Sequence, residues 1–368
     1  GDWDLWYCSY DGERWSNPGR IAKRKGTDLA PVLKRSPRGG LGLVWQGWNG
    51  DNFDIFISNL KNGKWSEPAA VTVEPGNDWM PDFAWGNGDT LSVVWDSYRN
   101  GTYDIYLRQK VDDDWLEEKL IAGNPEFEAN ASVASDKQGR LWIAYENRGP
   151  HWGKDRGYVI TQDYDETNTL LGFSTVHVKC YHNGRILRPL IQSPEQPVTY
   201  HQWGGYHASN IIFDEADRLW LFVKRPADNY WLPFNSFGRK IPFAAWENIA
   251  FTFDGKFWTG PKLFDDYPSR RSGGFESISL PSGDMMSIWY ADHRHGKWKS
   301  TPGKKDIYTQ RIPAVNAPQR PLRLTPDDPG VSPHHRAAAQ KEAQDLSRIR
   351  NYKIPSKNKP YHIFRGDL

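Results

Sequence analysis

A repeat of 50 residues constrains this chain more than any other feature of its sequence. Three segments align without a gap: DLWYCSYDGERWSNP from Asp4, DIFISNLKNGKWSEP from Asp54 and DIYLRQKVDDDWLEE from Asp104. Each carries its tryptophan at the same place, namely Trp15, Trp65 and Trp115. A fixed period of this length indicates a solenoid, a propeller or another repeat array.

The alternation inside one repeat is typical of β-strands. LGLVWQ and LSVVWD are apolar runs of strand length, and a short NG turn leads from each into FDIFIS or YDIYLR. A hairpin turn then leads into a Trp-led strand such as WSEPAAV, and a short strand such as APVLK precedes the unit. Four antiparallel strands per repeat predict an all-β chain that folds as a β-propeller.

The later repeats are looser, and we count five inner strand pairs over residues 1–314. Residues 2–22 form an outer hairpin whose inner strands are missing, so these must lie upstream of Gly1 or come from another part of the ring. An unpaired blade edge invites aggregation, which favours a closed ring. We therefore expect five full blades here and six in the intact protein, with seven as the alternative.

The sequence changes character after the propeller. Residues 315–360 begin with a Pro-rich run that predicts an extended strap. A helix of about four turns should follow, with Ser332 as its cap and Pro333 in its first turn. Residues 361–368 contain the apolar run YHIF and predict the first strand of a further domain.

Composition narrows the classes of partner. Lys and Arg number 47 against 45 Asp and Glu, a formal charge of +2 that argues against nucleic-acid binding. No apolar run is long enough to span a membrane. Cys8 and Cys180 define neither a disulfide framework nor a metal site, so we expect buried free thiols. We expect an extracellular or periplasmic protein.

Propellers usually bind ligands at the mouth of the ring, where loops enter each innermost strand or leave the second strand. Those loops collect aromatic, Arg, His and acidic residues, which suit the faces and the hydroxyl or acidic groups of sugars. The periodic Trp45, Trp65 and Trp95 should instead belong to the core. Residues that do not recur in register are the candidate ligand-binding residues: Trp48, Tyr98, Arg99, Arg148, His151, Trp152, Arg225, Tyr230, Asp292, His293 and Arg294.

Three kinds of chemistry remain open. A His/Tyr lyase or hydrolase would use the segment TYHQWGGYH, and its candidate catalytic residues are His201, Tyr206, His207 and Arg271. The alternative for this segment is a loop whose aromatic side chains fill the central opening of the propeller.

A sialidase-like site would need an Arg cluster from Arg148, Arg225 and Arg271 and a Tyr beside an acid, as in Tyr145–Glu146. However, Tyr145 takes the periodic Trp position and should face the core. The turns SYDGERW and FDGKFW also resemble the sialidase Asp-box without matching its spacing. Metal binding by His293 and His295 lacks a third ligand nearby, and the adjacent His334 and His335 point apart, so we expect no metal in this chain.

The last residues, YHIFRGDL, resemble the opening strand of metal-dependent phosphoesterases of the PHP superfamily, which continues into His-x-His after the Gly-Asp-Leu. A bacterial branch of that superfamily carries an upstream β-propeller. The resemblance implies that this chain is cut just before the metal ligands, that the divalent metal belongs to the downstream domain, and that Asp367 could only support those ligands.

These observations favour a propeller that binds and presents a glycan or similar polar polymer beside a downstream metal-dependent hydrolase. One alternative is a catalytic propeller that cleaves acidic polysaccharide as a lyase or a sialidase-like glycosidase. A purely structural role in protein interaction is the other.

Overall fold

The computed structural model describes residues 2–100, 102–124, 126–148, 174–194, 206–226, 231–232, 241–242, 246–263, 273–291 and 306–330. These residues form five antiparallel sheets that follow one another in chain order as a five-bladed β-propeller. The predicted fold class and the five repeats are confirmed. A sixth blade in a longer protein stays a prediction.

The strands before and within the first three blades have the following bounds. The N-terminal hairpin contains β1 (Trp6–Tyr7) and β2 (Gly19–Arg20). Blade 1 contains β3 (Asp28–Arg35), β4 (Leu41–Trp48), β5 (Phe53–Lys61), β6 (Lys64–Trp65) and β7 (Ala69–Ala70). Blade 2 contains β8 (Asp78–Trp85), β9 (Leu91–Ser97), β10 (Asp104–Val111), β11 (Asp114–Trp115) and β12 (Lys119–Ala122), with a short 3-10 helix at Asn87–Asp89. Blade 3 contains β13 (Phe127–Ser135), β14 (Leu141–Arg148), β15 (Ser174–His182) and β16 (Arg185–Pro189).

Blade 4 contains β17 (His207–Phe213), β18 (Leu219–Pro226), β21 (Trp246–Phe253) and β22 (Trp258–Leu263), and a small separate sheet pairs β19 (Trp231–Leu232) with β20 (Ile241–Pro242). The described part of blade 5 contains β23 (Gly273–Ser279), β24 (Met285–Ala291) and β25 (Asp306–Ile312). β26 (Leu324–Pro326) joins the outer edge of blade 3. Among the described residues, no helix is long and apolar enough to cross a membrane.

Each innermost strand carries a bulge near its first residues, where its register against the second strand shifts. In the first four blades one bulge residue has a positive φ, at Ala30, Met80, Asn130 and Ala208. A bulge bends its strand and re-aims its backbone groups. Because the bulge recurs, all blades present the start of the innermost strand in the same way.

The core lies between neighbouring blades. Trp45 and Trp95 are fully buried there, and Trp65 is partly buried against the same layer. Tyr145, at the equivalent position of blade 3, is also buried and stacks on His177 at 5.9 Å between ring centroids. The prediction that these periodic aromatic residues are structural is confirmed.

A polar contact near the axis joins the first three blades. The Lys34 Nζ lies 2.6 Å from Asp82 Oδ1, and Asp82 Oδ2 accepts hydrogen bonds from Ser132 Oγ at 3.0 Å and the Val133 N–H at 2.8 Å. A buried carboxylate needs such partners. The inner strands of blades 1, 2 and 3 are therefore held in one arrangement.

The N-terminal hairpin packs against blade 1. Leu5 and Ala22 contribute to the buried layer of Leu43 and Trp45, while Tyr7 packs edge-on against Trp65 with 5.8 Å between ring centroids. Both cysteines are free, as expected. Cys180 is buried, but Cys8 is exposed, so the expected burial was wrong for Cys8.

Residues 313–330 form an extended strap along blades 4 and 3. Arg320 Nε donates to Asp254 Oδ2 of blade 4 at 2.9 Å, and Leu322 and Leu324 pack against the buried layer between blades 3 and 4. β26 then pairs with β16. The helix predicted after Ser332 and the strand predicted at 361–368 lie outside the described residues.

Candidate functional site

The innermost strands begin, and the second strands end, at one end of the propeller, here called the upper rim. It comprises residues 27–29, 47–53, 77–79, 97–100, 102–103, 126–128, 147–148 and 206–207. Trp48, Tyr98 and Arg148 occupy the same rim position in blades 1, 2 and 3, 50 residues apart. Their side chains differ, so the position recurs although the residue type does not. One repeated position at the rim thus carries three different side chains.

Aromatic rings form a continuous surface on the upper rim of blades 1, 2 and 3. Phe53 lies between Trp48 and Trp79, with ring centroids 5.3 and 4.7 Å away. Tyr98 contacts Tyr103 at 5.0 Å and Phe127 at 6.4 Å, and Trp79 packs against the same group. We call these six residues the aromatic arc. Four of them, Trp48, Phe53, Trp79 and Tyr98, are partly exposed.

Arg99 has a structural environment. Its guanidinium contacts Glu118 at 2.6 Å and Asp78 at 3.4 Å, and it lies 4.3 Å from the centre of the Tyr106 ring. Burial raises the pKa of Asp78 to about 6, although the Arg99 charge opposes that rise. In blade 1, Arg24 pairs with Asp28 at 2.5 Å in the same way. Arg99 therefore holds blade 2 together, and a ligand would have to compete with these partners.

A buried polar cluster continues the rim into blades 3 and 4. Arg148 donates to Glu146 through Nε at 2.8 Å and through Nη2, and its Nη2 lies 2.9 Å from His207 Nδ1. Glu146 also accepts hydrogen bonds from Asn130 Nδ2 at 2.8 Å and Ser174 Oγ at 3.3 Å. Burial would raise the pKa of Glu146, but the Arg148 charge and the hydrogen bonds from Asn130 and the Ala208 N–H keep that pKa below its ordinary value.

The geometry determines the tautomer of His207. A guanidinium can only donate, so Nδ1 of His207 accepts from Arg148 and the ring proton lies on Nε2. The ring meets Trp246 edge-on at 5.0 Å, and Lys224 Nζ lies 4.7 Å from the centre of that indole. Burial lowers the pKa of Lys224 to about 8, with Glu146 opposing the shift.

Two other candidates lie away from this cluster. Tyr206 belongs to the hydrophobic layer between blades 3 and 4, with its ring edge-on to Phe251 at 5.4 Å. Arg225 Nε donates to Glu247 Oε2 at 3.0 Å. Eight candidates lie outside the described residues: His151, Trp152, His201, Tyr230, Arg271, Asp292, His293 and Arg294.

Two rim residues were missed as candidates although the sequence carries a signal for them. Phe53 directly precedes the periodic Asp54, and Trp79 directly follows the periodic Asp78. An aromatic residue beside a periodic acid is therefore a rim position in this repeat. Within the described parts of the chain, no group of three His, Cys, Asp or Glu side chains could hold a metal ion.

Glu128 is a buried carboxyl group with an unusual pKa. It occupies in blade 3 the position that Asp28 has in blade 1 and Asp78 has in blade 2. It accepts hydrogen bonds from the Asn124 N–H at 3.1 Å and from Asn147 Nδ2 at 3.2 Å. Burial, followed by the nearby Asp104 charge, raises the pKa of Glu128 to about 8. A large part of this group is therefore protonated at neutral pH.

Comparison with known proteins supports the fold. No family model and no curated protein matches the sequence. An ulvan lyase solved in complex with a GlcA(1-4)Rha3S repeat matches with a TM-score of 0.51 and 11% identity, over 82% of this chain and 68% of that one. An α-L-arabinanase from Penicillium chrysogenum matches with a TM-score of 0.48 and 11% identity, over 74% and 79%. A sialidase, Hz136, matches with a TM-score of 0.46 and 11% identity, over 77% and 56%.

Among these three, the ulvan lyase has a TM-score above 0.5, so this fold occurs in a polysaccharide lyase. At 11% identity the likeness shows the fold alone. The resemblance of the tail to the PHP superfamily stays a prediction, because no family model matches the chain.

Proposed function

We propose that this propeller binds a polysaccharide at the upper rim, with the aromatic arc as the main contact surface. The contact of Phe53 with Trp79 at 4.7 Å carries the proposal, because it joins partly exposed rings of two blades into one surface. Aromatic faces stack well on the apolar faces of sugar rings. A row of rings suits successive residues of an extended glycan.

The buried polar cluster suggests an acidic glycan. Arg148 and Lys224 bring two cationic groups beside the aromatic arc, against one acid, Glu146. A carboxylate or sulfate group on the sugar would compete with Glu146 and His207 for Arg148 and would find a further cation in Lys224. The role of the chain would be to bind and present this glycan.

Calorimetry of the full chain with neutral and acidic polysaccharides tests the proposal. Trp79→Ala should weaken binding about tenfold, the loss expected for one stacking contact. Trp85→Ala is the matched control, because Trp85 lies at the other end of the same strand and is also partly exposed. Equal effects of the two variants, or binding that survives loss of both Trp48 and Trp79, would reject the rim as the site.

Catalysis on acidic polysaccharide is a second candidate, supported by the contact between Arg148 and His207. If a uronate carboxylate drew the Arg148 guanidinium away from His207, Nδ1 of His207 would be released to accept the adjacent proton. Turnover by this chain that is lost in His207→Ala but kept in Arg225→Ala would replace the binding proposal. The downstream hydrolase and the extracellular or periplasmic location stay predictions.

A further inference from the structure

The hairpin of residues 2–22 has the internal hydrogen bonds of the outer half of a blade. Two matched pairs demonstrate this: Ile21 N–H to Leu5 O at 3.0 Å against Val71 N–H to Ile55 O at 2.7 Å, and Ser16 N–H to Ser9 O at 2.7 Å against Ser66 N–H to Asn59 O at 2.9 Å. The hairpin also packs on blade 1 through Leu5 and Ala22. Residues 2–22 therefore form the folded outer half of a blade, which we call the half-blade.

At Trp6 the half-blade lacks the stacking partner that a second strand provides in the other blades. In three blades an aromatic ring on the third strand stacks on a ring of the second strand, as in Phe56 on Trp45 at 6.0 Å, Tyr106 on Trp95 at 6.1 Å and Tyr308 on Trp289 at 6.0 Å. Trp6 takes this position in the half-blade and is 58% exposed. Among the described residues, β1 pairs with β2 alone, so its other edge is open.

Cys8 and Trp15 give the same indication. Cys8 is exposed, whereas Ser58, its counterpart in blade 1, is fully buried. Trp15 is 70% exposed, whereas its counterparts Trp65 and Trp115 are partly buried. An open strand edge beside exposed aromatic rings is a surface that folded proteins normally cover.

We propose that the open edge of the half-blade is a docking site for a β-hairpin of this chain's own inner-strand type. The occupant would pair antiparallel to β1, alternate apolar and polar residues, and place an aromatic ring against Trp6. The repeat indicates this kind of occupant, since in blade 1 the strand β4 pairs antiparallel with β5 along the whole of Leu41–Trp48. Addition of strands to an open edge is a known mode of recognition. The proposal does not depend on glycan binding.

The test appends a copy of residues 28–50 in front of Gly1 of the full chain. In blade 1 this segment leads into Phe53 and Asp54, which correspond to Trp3 and Asp4 of the half-blade. The readout is alkylation of Cys8 by N-ethylmaleimide. Cys180 does not interfere, because it is buried and its burial raises the thiol pKa to about 12.

The appended copy should slow alkylation of Cys8 at least tenfold and slow hydrogen exchange at Trp6 and Tyr7. A control copy lacks one residue in its second strand, which turns its apolar residues to the other face. Unchanged alkylation with the intended copy, or equal protection by the control copy, would overturn the proposal. Protection of Cys8 in the unmodified chain that grows with protein concentration would assign the edge to a second copy and overturn it as well.

Discussion

Glu146 of blade 3 accepts a hydrogen bond from the backbone N–H of Ala208 in blade 4 at 2.7 Å. Ala208 is the left-handed residue of its strand's bulge, with φ of 51°. The two preceding blade junctions repeat the contact, with Met80 N–H to Gln46 Oε1 at 2.8 Å and Asn130 N–H to Asp96 Oδ1 at 3.3 Å. At these three junctions the end of the second strand thus holds the start of the next innermost strand, and both lie next to the upper rim.

Removal of this contact should destabilise the propeller unequally at its different junctions. Gln46→Ala should cost about 1–3 kcal/mol, the value for a partly buried N–H that loses its acceptor. Glu146→Ala should cost more, about 3–5 kcal/mol, because it also leaves the buried Arg148 without a paired acid. Urea unfolding monitored by tryptophan fluorescence measures both losses. Equal losses would show that the Arg148 pair adds nothing to the contact.

The repeat allowed the blades and much of the core to be predicted from sequence alone. Trp45, Trp95 and Tyr145 lie at one repeated position, and all are buried. The period is less informative in blades 4 and 5, because insertions separate their inner strands from the earlier ones. For that reason the equivalence of His207 with Trp79 becomes visible only when the bulges are compared.

The candidate site was harder to predict because its contacts cross between blades. Arg99 and Arg148 look alike in sequence, yet Arg99 pairs with Glu118 within its own blade while Arg148 reaches His207 of the next blade. The arc depends on Phe53 meeting Trp79, two residues that lie in different repeats. Periodicity locates such positions on a blade but does not show which neighbours they meet.

Glu128 should make stability depend on pH. Its pKa rises from 4.5 in the unfolded chain to about 8 in the fold, so the folded state binds the extra proton between these values. Stability is then highest at low pH within this window and falls as pH rises from about 4.5 to 8, by up to about 1.4 kcal/mol per pH unit for this group.

The variant Glu128→Gln should remove this slope, since it keeps the shape without the titration. Urea unfolding of both proteins at several pH values from 5 to 9 measures the difference. The free energy of unfolding of the variant should increase relative to that of the parent protein as pH rises, and the difference should become constant above pH 8. A difference between the two proteins that does not change with pH would contradict the raised pKa.

Arg99→Ala should act on stability rather than on glycan recognition. It leaves the buried Asp78 and the half-buried Glu118 without their shared cation, at a cost of about 3–5 kcal/mol that comes mainly from Asp78. Trp48→Ala, on the same rim, should weaken polysaccharide binding with a smaller loss of stability. Thermal unfolding and calorimetry on both variants separate the two roles. Loss of binding without loss of stability in Arg99→Ala would restore Arg99 as a ligand-binding residue.

Lys179 should hold the strap in place. Its buried Nζ donates to the carbonyl oxygens of Ile121 at 3.0 Å and Asp328 at 2.7 Å, and it lies 3.3 Å from Asp327 Oδ2. Lys179→Met keeps the length of the side chain but removes all three contacts. Hydrogen exchange of residues 322–330 should then accelerate at least tenfold, because the remaining contacts are apolar packing, the β26 pairing and the backbone bonds of Asp327 and Pro329 to Ile186 and Gly123. Lys119→Met, which removes an exposed lysine of blade 2, is the matched control and should leave exchange unchanged. If the strap exchanges equally in both variants, the pairing of β26 with β16 holds it, and Lys179 does not.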